Sequence, residues 1–155
     1  MRLWHYRLLP YLPDAQFRGQ LRELVAIMRD WRDKGKTNHL LINAVMEYPK
    51  EHLVEYFRYY ASVYYSRYGK EIKQEYVKEF KEFCSESLPP YAPLFEDWHN
   101  EVYLRICMTN LFEKYYFGCG KSRITENEWN FLLYGYKHIT GKPFFGIEVK
   151  ECIQH

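Results

Sequence analysis

A chain of 155 residues, 47% of them hydrophobic, is long enough to bury a core without staples; this excludes wholesale disorder and points to one domain over residues 1–155. The net charge of +2 does not by itself mark a nucleic-acid binder. No window is apolar over the length that crossing a membrane needs, and the first residues lack a signal-peptide pattern, so the expected location is cytoplasmic.

The four cysteines, Cys84, Cys107, Cys119 and Cys152, lie far apart with no C-x-x-C pair and read as reduced thiols. His5, His39, His52, His99 and His138 form no metal-ligand spacing, so neither a metal nor a cofactor is expected. Charge is unevenly spread: residues 1–36 carry eight basic and four acidic side chains, a net of +4, which leaves −2 for the remainder. Such segregation suits phosphate contacts by the N-terminal part. Aromatic residues make up 19% of the chain, with 16 tyrosines. They can stack on bases, although packing in and around a helical core is the weightier reading.

In chain order, Pro10 and Pro13 keep the opening extended, and Asp14 is the expected N-cap of a helix over residues 15–33. Phe17, Leu21, Leu24, Met28 and Trp31 recur at three- and four-residue spacing and form its buried stripe. Arg18, Arg22 and Arg29 share a separate flank, and Glu23 lies about 100° round from Arg22, on a strip with Gln16 and Gln20. Asn38 then caps a short helix from His39 to about Met46. Pro49 opens a helix running to Tyr68 with Gly69 as its stop, and Lys70 to Ser85 reads as a charged amphipathic helix. Prolines 89, 90 and 93 mark a loop. A further helix is expected from Asp97 to Tyr116, with Val102, Leu104, Ile106, Met108 and Leu111 in its apolar pattern. Thr125 and Glu128 form a capping box for a last helix over Glu126 to about His138, and the tail from Phe144 to Val149 reads as a short strand or extended arm. The expected fold is an all-α bundle with an extended N-terminal segment and an irregular tail.

The chemistry lies at the beginning of the chain. An α-amine has a pKa of about 7.7–8.0, so a sizeable fraction is neutral and nucleophilic near pH 7, and neighbouring cations increase that fraction. Such an amine forms a Schiff base with a sugar aldehyde when a carboxylate stands by to move protons, and Glu23 is the candidate.

The run Met1, Arg2, Leu3, Trp4, His5, the turn Leu12, Pro13, Asp14 and the run Gln20, Leu21, Arg22, Glu23, Leu24 resemble the pyrimidine-dimer DNA glycosylase (endonuclease V) family. The resemblance implies an all-α fold and a repair glycosylase with abasic-site (AP) lyase activity, acting on double-stranded DNA that holds a damaged or abasic site. It implies Met1 and Glu23 as catalytic residues, methionine being retained before the large Arg2 side chain. Phosphate contacts fall to Arg2, Arg22 and, by similarity of the Leu111, Phe112, Glu113, Lys114 run, to Lys114. His5 beside the nucleophile, Gln16 and Arg18 complete the expected DNA contacts. Two basic positions of the family are Ala26 and Asn110 here, so phosphate grip either shifts to Arg18, Arg29 or Lys36 or is weaker. The protein is expected to act as a monomer. The alternative is a catalytically silent module on the same fold that binds DNA or a protein.

Overall fold

The computed structural model describes residues 2–144; Met1, Cys152 and the tail beyond Phe144 lie outside them. Five α-helices follow one another: α1 Asp14–Lys34, α2 Lys50–Tyr68, α3 Gln74–Phe83, α4 Glu101–Tyr116 and α5 Glu126–Thr140. Short 3-10 helices at Tyr6–Tyr11, Ile42–Glu47 and Gly120–Ser122 join them, and the described residues contain no strand. The fold is all-α. Its buried side chains, from Leu3 to Phe144, form one continuous core. Among the described residues, no helix is long and apolar enough to cross a membrane.

Most of α1 follows its sequence pattern. Phe17, Leu24 and Met28 are buried, Leu21 and Trp31 pack at the margin, and Gly35 closes the helix in the left-handed conformation at φ 68°. Its start differs from expectation. Pro13 occupies the cap position without a side-chain cap bond, and Asp14 is the first helical residue. The Asp14 carboxylate is taken by Arg18 at 2.8 Å and by the Tyr68 hydroxyl, so it cannot turn back to the helix amides. Nor is the segment before it extended. Tyr6–Tyr11 winds into a 3-10 helix containing Pro10, begun by His5, whose Nδ1 accepts from the Arg7 amide at 3.2 Å.

The helix expected from His39 is replaced by a tight loop and the 3-10 helix Ile42–Glu47. The cause is a side-chain clasp. Asn43 Oδ1 accepts from the Thr37 amide at 2.8 Å, Asn43 Nδ2 donates to the Thr37 carbonyl at 3.3 Å, and Thr37 Oγ1 accepts from the His39 amide at 3.1 Å. Side chains that bond locally in this way compete with helical hydrogen bonds. Helix α3 is shorter than the amphipathic pattern suggests, and a near-parallel stack of Phe80 on Phe57, centroids 3.9 Å apart, ties it to α2. Helix α4 starts four residues later than expected, capped by Asn100, whose Oδ1 accepts from the Tyr103 amide at 3.0 Å. Val102 and Ile106, members of its apolar pattern, are 66% and 49% exposed. The capping box of α5 is present as read. This helix lies so close to the first turn that a Cβ at Gly135 would overlap the Tyr11 ring.

Residues 2–4 run along α1 and are fastened to it by side chains. Gln20, fully buried, accepts from the Trp4 amide at 2.7 Å through Oε1 and donates to the Arg2 carbonyl at 2.8 Å through Nε2. Tyr56 donates to the Trp4 carbonyl at 2.7 Å and Tyr103 to the Leu3 carbonyl at 2.6 Å. An extended segment buried among helices has no ladder of its own, so these side chains supply the partners its backbone needs. Replacing Gln20 with Leu keeps the volume and strands two buried backbone groups. The expected loss is about 2–6 kcal/mol of stability, at about 1–3 kcal/mol for each unsatisfied group, read from urea unfolding.

Two buried histidines lie beneath this segment. His5 stacks on His99 at 5.1 Å and donates from Nε2 to the His99 carbonyl at 2.7 Å; His99 Nδ1 accepts from the Tyr6 amide at 3.2 Å. Both rings are held neutral. Burial pushes His5 from 6.5 down to about 4, and it pushes His99 well below its ordinary value. The unfolded chain takes up these protons as pH falls through 6.5 while the folded chain resists until about 4, so stability is lost across that window. His5 alone contributes a loss of about 3 kcal/mol at about 1.36 kcal/mol per pKa unit. Denaturant midpoints should hold steady above about pH 7 and fall below about 6.5, with a shallower slope in His5→Gln.

Candidate active site

A cleft of about 490 Å³ opens where residues 2–4, the first half of α1 and the α4–α5 connection meet. Its floor is open because α1 presents Ala15 and Gly19 there. Glu23, one turn further along α1, points into the cleft and accepts from the Arg2 amide through Oε2 at 2.9 Å. The helix thus fixes a carboxylate against the backbone nitrogen of the second residue. Arg2 then crosses the Trp4 ring, its guanidinium carbon 4.9 Å from the centroid, a cation–π contact that orients it along the cleft wall.

Arg22 lines the cleft beside Glu23, and from the opposite side come Lys114, on the last turn of α4, and Lys121. Four cations therefore surround one carboxylate in a space open to solvent. Such an arrangement binds polyanions, because the basic groups sum their fields over the same volume. Gln16 completes the wall by donating from Nε2 to the Ser122 carbonyl at 3.0 Å, which pins the α4–α5 connection to α1.

Of the residues expected from sequence, Glu23, Arg2, Arg22, Gln16 and Lys114 are brought together. Met1 lies outside the described residues. Two others are elsewhere. His5 is in the interior with both ring nitrogens bonded within the protein, so its ring has no free atom for a phosphate. Arg18 leaves the cleft to pair with Asp14 at 2.8 Å and to lie over the Tyr68 ring at 4.8 Å. Arg29, suggested as a compensating grip, is held by Glu79 through two bonds of 2.9 and 2.6 Å. Its guanidinium is committed to tying α1 to α3.

Lys121 was not anticipated from the sequence. It sits in the irregular stretch between α4 and α5, where no periodicity assigns a face. The glycine at 118 is the one local signal. Any Cβ there would strike the Lys114 carbonyl, so only glycine lets the chain turn directly after α4 and return Lys121 to the cleft. Gln20 was legible only as a neighbour of Glu23, and its role depends on backbone groups that the fold alone brings near it.

No curated protein and no solved structure gives a significant match to this chain. A family model described as pyrimidine dimer DNA glycosylase matches residues 1–77. The match takes in Arg2, Gln16, Gln20, Arg22 and Glu23, whereas Lys114 and Lys121 lie beyond it. The helix-borne carboxylate, Arg2 and Arg22 of the cleft fall within the matched residues, and over residues 1–77 the chain is similar to the pyrimidine dimer DNA glycosylase family, a family of DNA repair.

Proposed function

We propose that this protein is a DNA glycosylase with AP lyase activity that acts on pyrimidine-dimer or abasic sites through an imine to the α-amine of Met1. The observation that carries the reading is the 2.9 Å bond between Glu23 Oε2 and the Arg2 amide, set among Arg2, Arg22, Lys114 and Lys121. An α-amine one residue before that amide is tethered to the carboxylate by covalent geometry, since consecutive Cα atoms are about 3.8 Å apart.

The steps follow from this arrangement. The four cations bind the phosphates flanking the damaged nucleotide and disfavour an ammonium beside them, which keeps the amine neutral. The amine attacks C1′ with its lone pair, and the glycosidic bond electrons leave with the base. The Glu23 carboxylate stabilises the positive charge that develops on the sugar and receives a proton as the amine is alkylated. Ring opening, in which the amine lone pair expels O4′ and Glu23 returns its proton to that oxygen, gives the protonated imine. Loss of a proton from C2′ then expels the 3′-phosphate by β-elimination, and water releases the sugar remnant from the amine. Gln16 supports the site by holding the Lys121 segment in place.

Borohydride reduction in the presence of an abasic duplex, or of ultraviolet-irradiated DNA, is expected to trap a covalent complex whose mass maps to the N-terminal peptide. Absence of that complex, or its persistence when the amine is blocked by extra N-terminal residues, overturns the proposal. Glu23→Gln should still bind abasic DNA while strand cleavage falls by about 10²–10⁴-fold. Lys121→Ala should weaken DNA binding and reduce the slope of log affinity against log salt by about one.

A further inference from the structure

The cleft is lined mainly by charged and polar residues, and of its apolar side chains Trp4 is buried and Ala15 is too small to reach outward. A glycosylase that reaches C1′ inside a duplex has to unstack the target nucleotide, and the emptied step is commonly filled by an apolar side chain. Nothing in the cleft provides one. Arg2, however, lines a second and larger groove of about 840 Å³, formed by the α1–α2 connection and the outer face of α4. At its rim stand Leu40 and Leu41, adjacent and 88% and 86% exposed, facing Val102 and Ile106 across the groove.

We infer that Leu40 and Leu41 form a wedge that enters the minor groove of duplex DNA beside the nucleotide held in the cationic cleft. The inference rests on the repair-enzyme reading above. Three features favour DNA as the occupant. The groove continues the cleft through a shared arginine, so one duplex can lie along both. The charges are sorted to match: the cations lie on the cleft side, while the far groove carries Glu47 and Asp97, which turn phosphates away and leave the apolar rim to the interior of the helix. The two leucines are also presented rigidly, because the Thr37–Asn43 clasp closes the loop immediately around them. A rigid wedge loses little conformational freedom when it inserts.

The test compares wild type with the Leu40→Ala/Leu41→Ala double variant on abasic DNA, as a duplex and as a single strand, with 2-aminopurine placed next to the abasic site. Both side chains are exposed, and a thermal melt checks that the variant is folded. In wild type, binding should raise 2-aminopurine fluorescence in the duplex as the step unstacks. In the double variant that rise should be lost, and the ratio of duplex to single-strand borohydride trapping should fall about tenfold or more. Leu40→Met/Leu41→Met should restore both. Equal duplex-to-single-strand ratios in wild type and the alanine variant overturn the wedge while leaving the glycosylase reading intact. Failure of wild type to trap either substrate overturns that reading instead. A concentration-dependent dimer in sedimentation that the alanine variant abolishes, with fluorescence unchanged, assigns the leucines to a second copy of the chain and also overturns the wedge.

Discussion

Side-chain hydrogen bonds hold an extended segment of three residues, Arg2 to Trp4, against α1, and the site exists only because of them. Gln20 engages the segment at both ends and Glu23 engages the Arg2 amide. Three residues apart on α1, the two side chains lie on one strip and reach the same passing backbone. A buried segment outside regular secondary structure is unfavourable unless each polar group finds a partner. Tyr56 from α2 and Tyr103 from α4 complete the set. Residues 2–4 are thereby fixed by three helices at once, which aligns Glu23 with the Arg2 amide to within a hydrogen bond.

The same construction explains the abundance of tyrosine. Tyr56, Tyr60 and Tyr103 are each packed by the ring and bonded at the hydroxyl to a main-chain carbonyl, Tyr60 to that of Phe17 at 2.7 Å. A tyrosine supplies apolar area and one donor at the end of a rigid ring, which suits a core that has to satisfy backbone groups outside regular structure. Burial pushes the Tyr56 and Tyr60 hydroxyls well above their ordinary range, so they remain protonated donors. Here the aromatic composition serves the fold first, and its relation to nucleic acid is indirect.

Cations reach the cleft from four separate parts of the chain: the N-terminal segment, α1, the end of α4 and the α4–α5 connection. The overall charge is small because acidic residues elsewhere neutralise the remaining basic ones, as Asp14 does for Arg18 and Glu79 for Arg29. Spatial grouping, rather than excess, produces the positive field. Among the described residues, Glu23, itself bonded to the Arg2 amide, is the one carboxylate that lines the cleft with these cations.

The sequence alone determined the helix class, the stripe of α1, the glycine stop at Gly69, and the capping box at Thr125, since each depends on spacing within a few residues. It also contained the grouping of Arg2, Arg22 and Glu23, because two of these share a helix and the third is held beside it. It did not contain the interior placement of His5, the diversion of Arg18 to Asp14 and Tyr68, or the arrival of Lys121. In each case the outcome was a competition among partners far apart in the chain, settled by which of them packing brought within about 3 Å, the reach of a hydrogen bond. Local pattern specifies which face a side chain takes on its own helix; only the packed tertiary structure decides what waits on the other side.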